Sequence, residues 1–459
     1  MEKRYNFLFL MADQIRNTTL DGMGDGVETP NLRRLMDKSV LFTRAACTSP
    51  LCTPSRASLA TGRYPSRCGV PIHDAVLPPE QPTFYQALRD SGYRVGIVGK
   101  SDLHKRDKYC GVKGDLPSMH QYGFTDPVET EGKMNSAWFG TNPDGTMYPM
   151  GPYQKYLMDR DPELLRTLEK DYRSYMRQKP RYYAQPTVLP DEVFLDTFIG
   201  EKSLEWLDEH DNTGAPWHLT VSFAGPHNPW DPPKADYDAV GDTPWPQPIA
   251  DDMQGKPAWI RSRAAEQTGG MTPEDLQQVK RCYAGSVRVI DRWIGKLLDW
   301  LETSGHTDDT VVIFCADHGE LLGDHGLLEK SCMYEGCLRI PLMIHLPGMT
   351  ERRDTDALAE LPDLAPTCLE LADADWNHRQ MDAVSLVPIL RGGSEPLRPV
   401  QRSELHNCTM LFDGRYKWIR SYNDTDELYD LETDPDELHN VIAEHPEVLD
   451  RMRPYSFRH

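Results

Sequence analysis

Five short apolar runs, each closed by a polar residue, glycine or proline, set the tightest limit on what this chain can fold into. They are Asn6–Ala12 before Asp13, Arg94–Val98 before Gly99-Lys100, and His218–Ala224 before Pro226-His227. Thr310–Ala316 before Asp317-His318 and Pro341–Leu346 before Pro347-Gly348 complete the set. Helical patterns separate them, over Asn31–Ser39, Thr83–Ser91, Val193–Glu209 and Pro273–Ser304. The last opens on Thr272-Pro273-Glu274-Asp275, a capping hydroxyl followed by proline in the first turn. Buried strands alternating with helices predict an α/β fold, with a large, doubly wound, mixed but mainly parallel sheet sandwiched by helices. Ligands of such sheets lie beyond the carboxyl ends of the strands. Four of the five runs deliver Asp13, Lys100, His227 and Asp317-His318 to that edge, which predicts one shared site.

At 459 residues the chain exceeds one typical domain, so a large and a smaller domain are expected. The pattern changes near Leu390-Arg391-Gly392-Gly393, giving a catalytic domain over 1–392. A small C-terminal α+β domain with an antiparallel sheet is expected over 393–459, built on Met410–Phe412, Tyr416–Ser421 and Asp426–Val441. Inside the large domain, 125–190 and 237–270 are irregular. The first is dense in aromatic and basic residues at Tyr172–Arg177 and Pro180–Tyr183, and both read as insertions that shape a substrate site.

The formal charge is −21, from 71 acidic against 50 basic residues, so neither nucleic acid nor an anionic membrane is an expected partner. An anionic substrate would need a local positive pocket, which makes the few cations inside motifs informative. The ten cysteines show no C-x-x-C spacing and read as free thiols of a reducing compartment. No run reaches transmembrane length. The run Phe7–Ala12 is short and leads straight into Asp13 without a small-residue cleavage site. It reads as a first strand rather than a leader, and the expected location is cytoplasmic.

The stretch Cys52-Thr53-Pro54-Ser55-Arg56 opens a helix, with Pro54 in the first turn, where a missing N–H costs nothing. Ser55 and the first backbone amides would then face residue 52 and bind an anion, with Arg56 and Arg63 adding forked positive charge. Taken alone, Cys-Thr-Pro is more simply a buried cysteine at an ordinary helix start. The whole segment through Leu59, Thr61, Gly62 and Arg63, however, resembles the signature C-x-P-S-R-x-x-L-x-T-G-R of the type I, formylglycine-dependent sulfatases of the alkaline phosphatase superfamily. That resemblance runs from Asp13 to Leu428-Tyr429-Asp430-Leu431 near the C-terminus and implies an alkaline-phosphatase-like fold.

The resemblance implies roles for individual residues. Cys52 is oxidised to formylglycine by a maturation enzyme, and its hydrate is the nucleophile. Asp13-Gln14 and Asp317-His318 look like two halves of a metal site completed by residue 52. Hard oxygen ligands favour Ca2+, and the imidazole leaves Mn2+ as the alternative. Lys330, at the end of Asp317–Lys330, contacts sulfate, while His325 belongs to a tight turn. Pro226-His227-Asn228-Pro229 resembles the P-H-x-P element, in which His227 protonates the leaving alcohol, with Asn228 as a further substrate contact. Gly99-Lys100-Ser101-Asp102-Leu103-His104 resembles G-K-x-H, placing Lys100 on sulfate but aspartate where histidine is usual. Either His104 supplies the displaced imidazole or Asp102 reads the substrate, and the first is favoured. Arg56 and Arg63 complete the anion-binding set.

In the implied mechanism one hydroxyl of the formylglycine hydrate attacks sulfur, and the other then loses its proton to expel sulfate. Arg56, Lys100 and Lys330 stabilise the growing oxyanion charge. The expected activity is hydrolysis of a sulfate ester, on a sulfated carbohydrate such as a glycosaminoglycan-derived saccharide. Asp-Gln paired with Asp-His is also the combination of choline sulfatases and phosphonate monoester hydrolases, which keeps a choline-sulfatase-like or a phosphonate monoester or phosphodiester hydrolase as the alternative. A non-catalytic binding protein is the third reading. Loss of Lys100, His227, Lys330 or a metal ligand would favour it, and none is lost. The expected partners are a small anionic sulfated substrate and a formylglycine-generating maturation enzyme.

Overall fold

The central strand β1 (Asn6–Ala12) is buried along its whole length, as a strand covered by helices on both faces must be. The computed structural model describes residues 4–105, 109–177, 183–211, 213–242, 245–375 and 380–456. Eight strands form the main sheet. With β1 they are β2 (Val40–Phe42), β3 (Arg94–Gly99), β4 (Asp126–Glu129), β7 (Trp217–Phe223), β8 (Thr310–Ala316), β9 (Leu342–His345) and β10 (Arg353–Thr355). The two strands numbered between, β5 (Gly140–Thr141) and β6 (Met147–Tyr148), form a separate hairpin. The sheet order is β10-β2-β9-β8-β1-β7-β3-β4. Only β9 runs against the others, pairing antiparallel with both β2 and β8. The run predicted at Pro341–Leu346 therefore points away from the site edge, which is why it delivers no functional residue.

Register places the site. Ala12 pairs with Phe223 on one side and Ala316 on the other, and Gly99 pairs with Ser222. Asp13, Lys100, Ala224 and Asp317 thus leave the sheet within about one residue of the same level, as strands that share a direction and end together require. Backbone bonds hold the exits: Asp13 N–H donates to the Gly225 carbonyl at 3.1 Å and Lys100 N–H to that of Ser222 at 3.0 Å.

The helix Pro273–Ser304 begins at a capping box between Thr272 and Asp275 and ends at Gly305, whose φ of 82° suits glycine. It packs on the helices Leu195–His210 and Pro30–Met36. At one crossing Gly200 lies so close to the Trp293 ring that a Cβ would sit 2.1 Å from it. The segment 125–190 is more regular than expected. It supplies the edge strand β4, the β5–β6 hairpin and the helices Pro152–Arg160 and Pro162–Arg177. Of its predicted aromatic cluster, residues 180–182 lie outside the described residues, and Tyr183 is buried. The segment 237–270 carries the helix Ala258–Gln267, with residues 243 and 244 outside the description.

Beyond residue 400 an antiparallel sheet runs β11 (Gln401–Glu404), β12 (Cys408–Phe412), β13 (Tyr416–Ser421), β14 (Glu427–Asp430), with the helix Pro446–Met452. Val400, Leu411, Trp418, Leu428, Val448 and Met452 form its own small core. Among the described residues no helix is long and apolar enough to cross a membrane.

Candidate active site

Cys52 is the first residue of the helix Cys52–Thr61 and is fully buried at the carboxyl edge of the sheet. Leu51, at the cap position, has no side chain to offer the first amides. The helix ends at Gly62, whose φ of 65° again suits glycine. Cys52 Sγ lies 3.2 Å from His318 Nε2 and 3.6 Å from Asp13 Oδ1. Ligand atoms of Asp13, Cys52, Asp317 and His318 all fall within 4.8 Å of one another, and all four residues are buried.

The remaining motif residues divide into those drawn to this centre and those held elsewhere. The Lys100 ammonium meets the Asp13 carboxylate and lies 3.1 Å from Asp102 Oδ2. Lys330 donates to the Gln14 side-chain oxygen and, at 2.5 Å, to His227 Nε2. Arg56 is spent on structure. Its Nε donates to Asp317 Oδ2 at 2.8 Å, and its Nη1 to the Lys100 carbonyl at 2.6 Å and to Ser222 Oγ at 2.8 Å. Ser55 Oγ, expected to face residue 52, donates instead to the Asp317 carbonyl at 2.6 Å. Both residues therefore hold the acid that faces the thiol.

One expectation is corrected by position. Arg63 lies past the far end of the helix, where it donates to Gln81 Oε1 at 2.9 Å and to the Gln380 carbonyl at 2.6 Å. Ten helical residues carry the chain about 15 Å from Cys52, too far for a shared anion site. His104, favoured as the displaced imidazole, pairs with Glu129. Asp102 is the residue turned to the centre, through a left-handed backbone of φ 56°, and it bonds Lys100 and also Lys105, at 2.7 Å. Asn228 donates from Nδ2 to Glu329 Oε1 at 2.7 Å. His325 takes the expected structural place, in a turn at φ 54°, 2.7 Å from Asp251 Oδ2.

The charges set the protonation states. Burial opposes ionisation of Asp13, but Lys100, with Arg56 and His318 behind it, outweighs it and holds the carboxyl well below its usual range. Burial and Asp13 likewise oppose the Cys52 thiolate, and Lys100, Lys330 and His318 still lower this thiol well below its ordinary value. Burial and the neighbouring Lys330 ammonium keep His227 neutral. Its Nδ1 is 2.5 Å from the Asn228 carbonyl, which fixes the tautomer and leaves Nε2 as the acceptor for Lys330. Burial lowers His318, yet Asp317 and Cys52 carry it up to about 9.

Two carboxylates, an imidazole and the residue-52 side chain, buried and converging on one another, could hold a metal ion. Gln14, at φ 72°, points its amide between Lys330 and Glu320, with its oxygen toward Lys330.

Several supporting residues carry no local sequence signal. Glu320 is buried and accepts from Gln14 Nε2 and from the amides of Leu322 (3.0 Å) and Glu329 (2.5 Å). Asp196, in the first turn of the helix Leu195–His210, accepts the amides of Ala224 (2.7 Å) and Gly225 (3.1 Å), just before Pro226-His227. Burial raises its carboxyl to about 6 against the pull of Lys133 and these amides. Glu329 and Ser331, on either side of Lys330, sit at φ 63° and 74°. Such left-handed backbone costs a side-chain-bearing residue about 1–2 kcal/mol.

The Sulfatase family model matches residues 5–374, and the model described as N-sulphoglucosamine sulphohydrolase, C-terminal, matches residues 323–453. A choline-sulfatase of Rhizobium meliloti (strain 1021) is 30% identical over 462 residues, covering 96% of this chain and 83% of that protein. Two solved structures share the fold. BT4656, in complex with its substrate D-glucosamine-2-N,6-O-disulfate, aligns with a TM-score of 0.78 at 20% identity, over 99% of this chain and 97% of its own. The phosphonate monoester hydrolase SpPMH of Silicibacter pomeroyi aligns with a TM-score of 0.79 at 23% identity, over 98% of this chain and 94% of its own.

Proposed function

Because this chain belongs to the sulfatase family and is a sulfuric ester hydrolase, we propose that it cleaves the sulfate ester of a small sulfated carbohydrate, using residue 52 as formylglycine. The observation that carries this reading is the placement of Cys52 Sγ, buried at a helix start, 3.2 Å from His318 and 3.6 Å from Asp13. A maturation enzyme would convert Cys52, and the hydrated aldehyde supplies a nucleophilic oxygen together with a second hydroxyl that allows release of sulfate. Asp13, Asp317, His318 and the Gln14 amide would hold a divalent cation, calcium first and manganese as the alternative, which supplies Lewis acidity toward a substrate oxygen.

The chain's own groups do the rest. Lys100 and Lys330 present two ammonium groups where the oxyanion charge grows. Asp102 steadies Lys100 from behind, and Arg56 holds Asp317 in place. The Lys330 ammonium, 2.5 Å from His227 Nε2, gives its proton through that ring to the departing alkoxide as the S–O bond breaks and is reprotonated from water afterwards, while Lys100 keeps its charge on the sulfate. The Asn228 carbonyl at Nδ1 keeps the ring in the orientation this transfer needs.

The saccharide reading is supported by the disulfated glucosamine bound in BT4656. A second reading, a choline-type sulfate or a phosphonate monoester, is favoured by Gln14 beside Asp13, by His318, and by the 30% identity to a choline-sulfatase. The test is peptide mass spectrometry across residue 52 on enzyme co-expressed with a formylglycine-generating enzyme. It is followed by turnover of glucosamine 6-sulfate, choline sulfate and a phenyl phosphonate ester, with Cys52→Ala as control. Thiol-to-aldehyde conversion with sulfate released from the sugar alone supports the proposal. Full conversion with turnover only of choline sulfate or the phosphonate transfers it to the second reading.

A further inference from the structure

The helix Ala258–Gln267 comes within reach of the active site without placing a side chain in it. Its Arg263 lays Nη1 on the Ser331 carbonyl at 3.1 Å and Nη2 on the Leu328 carbonyl at 3.1 Å, and Nη2 also meets the carbonyl of Lys330 itself. The same helix end takes hold of the loop at two further points. Leu328 N–H donates to Gln267 Oε1 at 3.0 Å, and Thr268 Oγ1 donates to the Gly326 carbonyl at 2.7 Å.

This loop needs an external hold. Glu329 and Ser331 both adopt left-handed backbone, at φ 63° and 74°, and Lys330 lies between them. Left to local preference, that backbone would relax and carry the Lys330 ammonium with it. A guanidinium suits the task because its donors point in fixed directions within one plane and can serve several carbonyls at once, whereas an ammonium is a point donor on a flexible stem.

Arg263 is itself anchored from the C-terminal sheet. Asp424, in the turn between β13 and β14, accepts the first amides of the helix, Ala258 at 3.0 Å and Trp259 at 3.2 Å. Just before the helix, Lys256 is buried between the rings of Tyr334 and Tyr429, at 4.4 and 4.5 Å, and donates to Tyr429 Oη at 2.8 Å. The path from C-terminal sheet to helix to loop is continuous in hydrogen bonds.

We propose that Arg263 is a positioning residue that sets where the Lys330 ammonium stands against His227 and the sulfate, so that the C-terminal sheet acts on the reaction through the helix Ala258–Gln267. This rests on the reading of Lys330 as a sulfate contact. The experiment is a double-mutant cycle on formylglycine-converted enzyme, with kcat and KM for a sulfate ester measured for Arg263→Ala, Lys330→Ala and the pair. Arg263→Ala is expected to lower kcat/KM about 30-fold, mostly in kcat, the size of loss that a misplaced group produces. In the Lys330→Ala background it should do almost nothing, because the group it positions is gone. Arg263→Lys, which keeps the charge but not the fork, should fall between wild type and the alanine variant, and it provides the cycle if the alanine variant does not fold. An equal fold-loss in both backgrounds, or no loss in the Lys330-containing enzyme, overturns the proposal. Full activity in Lys330→Ala alone would instead remove Lys330 from the reaction, a failure visible without any change at position 263.

Discussion

At the scale of single residues, the site is a set of buried charges that satisfy one another, and Asp317 is its most heavily used member. It accepts Arg56 Nε at 2.8 Å and the amides of Gln14 and His318, each at 3.0 Å, while facing the thiol and the imidazole. Asp317→Asn would leave the Arg56 guanidinium, 4% exposed, without its main counter-charge. Asp13, at 3.6 Å, would remain as a weaker counter-charge, so the loss is expected to stay below the roughly 3–5 kcal/mol of a fully unpaired buried charge. The variant is therefore expected to lose both turnover and thermal stability. Chelation of the wild-type enzyme should abolish turnover with a smaller effect on melting, because the ligands then fall back on Lys100 and Arg56. Melting curves beside sulfate release check both, and an Asp317→Asn protein that melts with wild type would refute the structural half. Asp13, Lys100, His227 and Asp317 were legible because each follows an apolar run. Arg63 was misplaced because motif membership does not reveal that a helix has carried it away. Asp196 and Arg263 act across tens of residues of separation, where a sequence carries no local signal.

At the scale of elements, strand ends were readable wherever an apolar run met a polar residue, and β1 and β8 match their predicted bounds. The helix Pro273–Ser304 was readable from its Thr272 cap and first-turn proline. The three-residue strands β2 and β10 are too short to show a period, and the direction of β9 is decided by its neighbours rather than by its own residues. Close helix crossings were also invisible. Gly200 permits the helix Leu195–His210 to press against Trp293 of the long helix, with no room for a methyl group. Gly200→Ala would gain helix propensity, about 1 kcal/mol, but must push the indole out of a packed crossing, an overpacking cost of about 1–3 kcal/mol. The Cβ-to-ring distance of 2.1 Å puts the balance on the side of destabilisation. A lower melting temperature with unchanged KM is expected, and a variant that melts higher would show that the crossing yields easily.

At the scale of the whole molecule, the sheet separates two kinds of charge. Its carboxyl edge holds the proposed catalytic set, and its opposite edge holds His306, which precedes β8 and sits between two carboxylates. Nδ1 is 2.9 Å from Asp309, and Nε2 meets Asp211. The ring stacks on Trp300 with centroids 5.8 Å apart. Burial disfavours the imidazolium, but the hydrogen bonds to Asp309 and Asp211 outweigh it and raise this histidine above its usual value. A base whose pKa is raised by folding adds stability that is complete below its unfolded value, near 6.5, and fades as pH rises through the folded value. His306→Gln is therefore expected to melt below wild type at pH 6, with the gap narrowing steadily toward pH 9. Turnover per folded molecule should be unchanged, since the catalytic groups lie at the other end of the strands. Melting temperatures of both proteins across that range are the measurement. A gap that stays constant with pH would mean that packing against Trp300, rather than the charge shared with Asp211 and Asp309, is what His306 contributes.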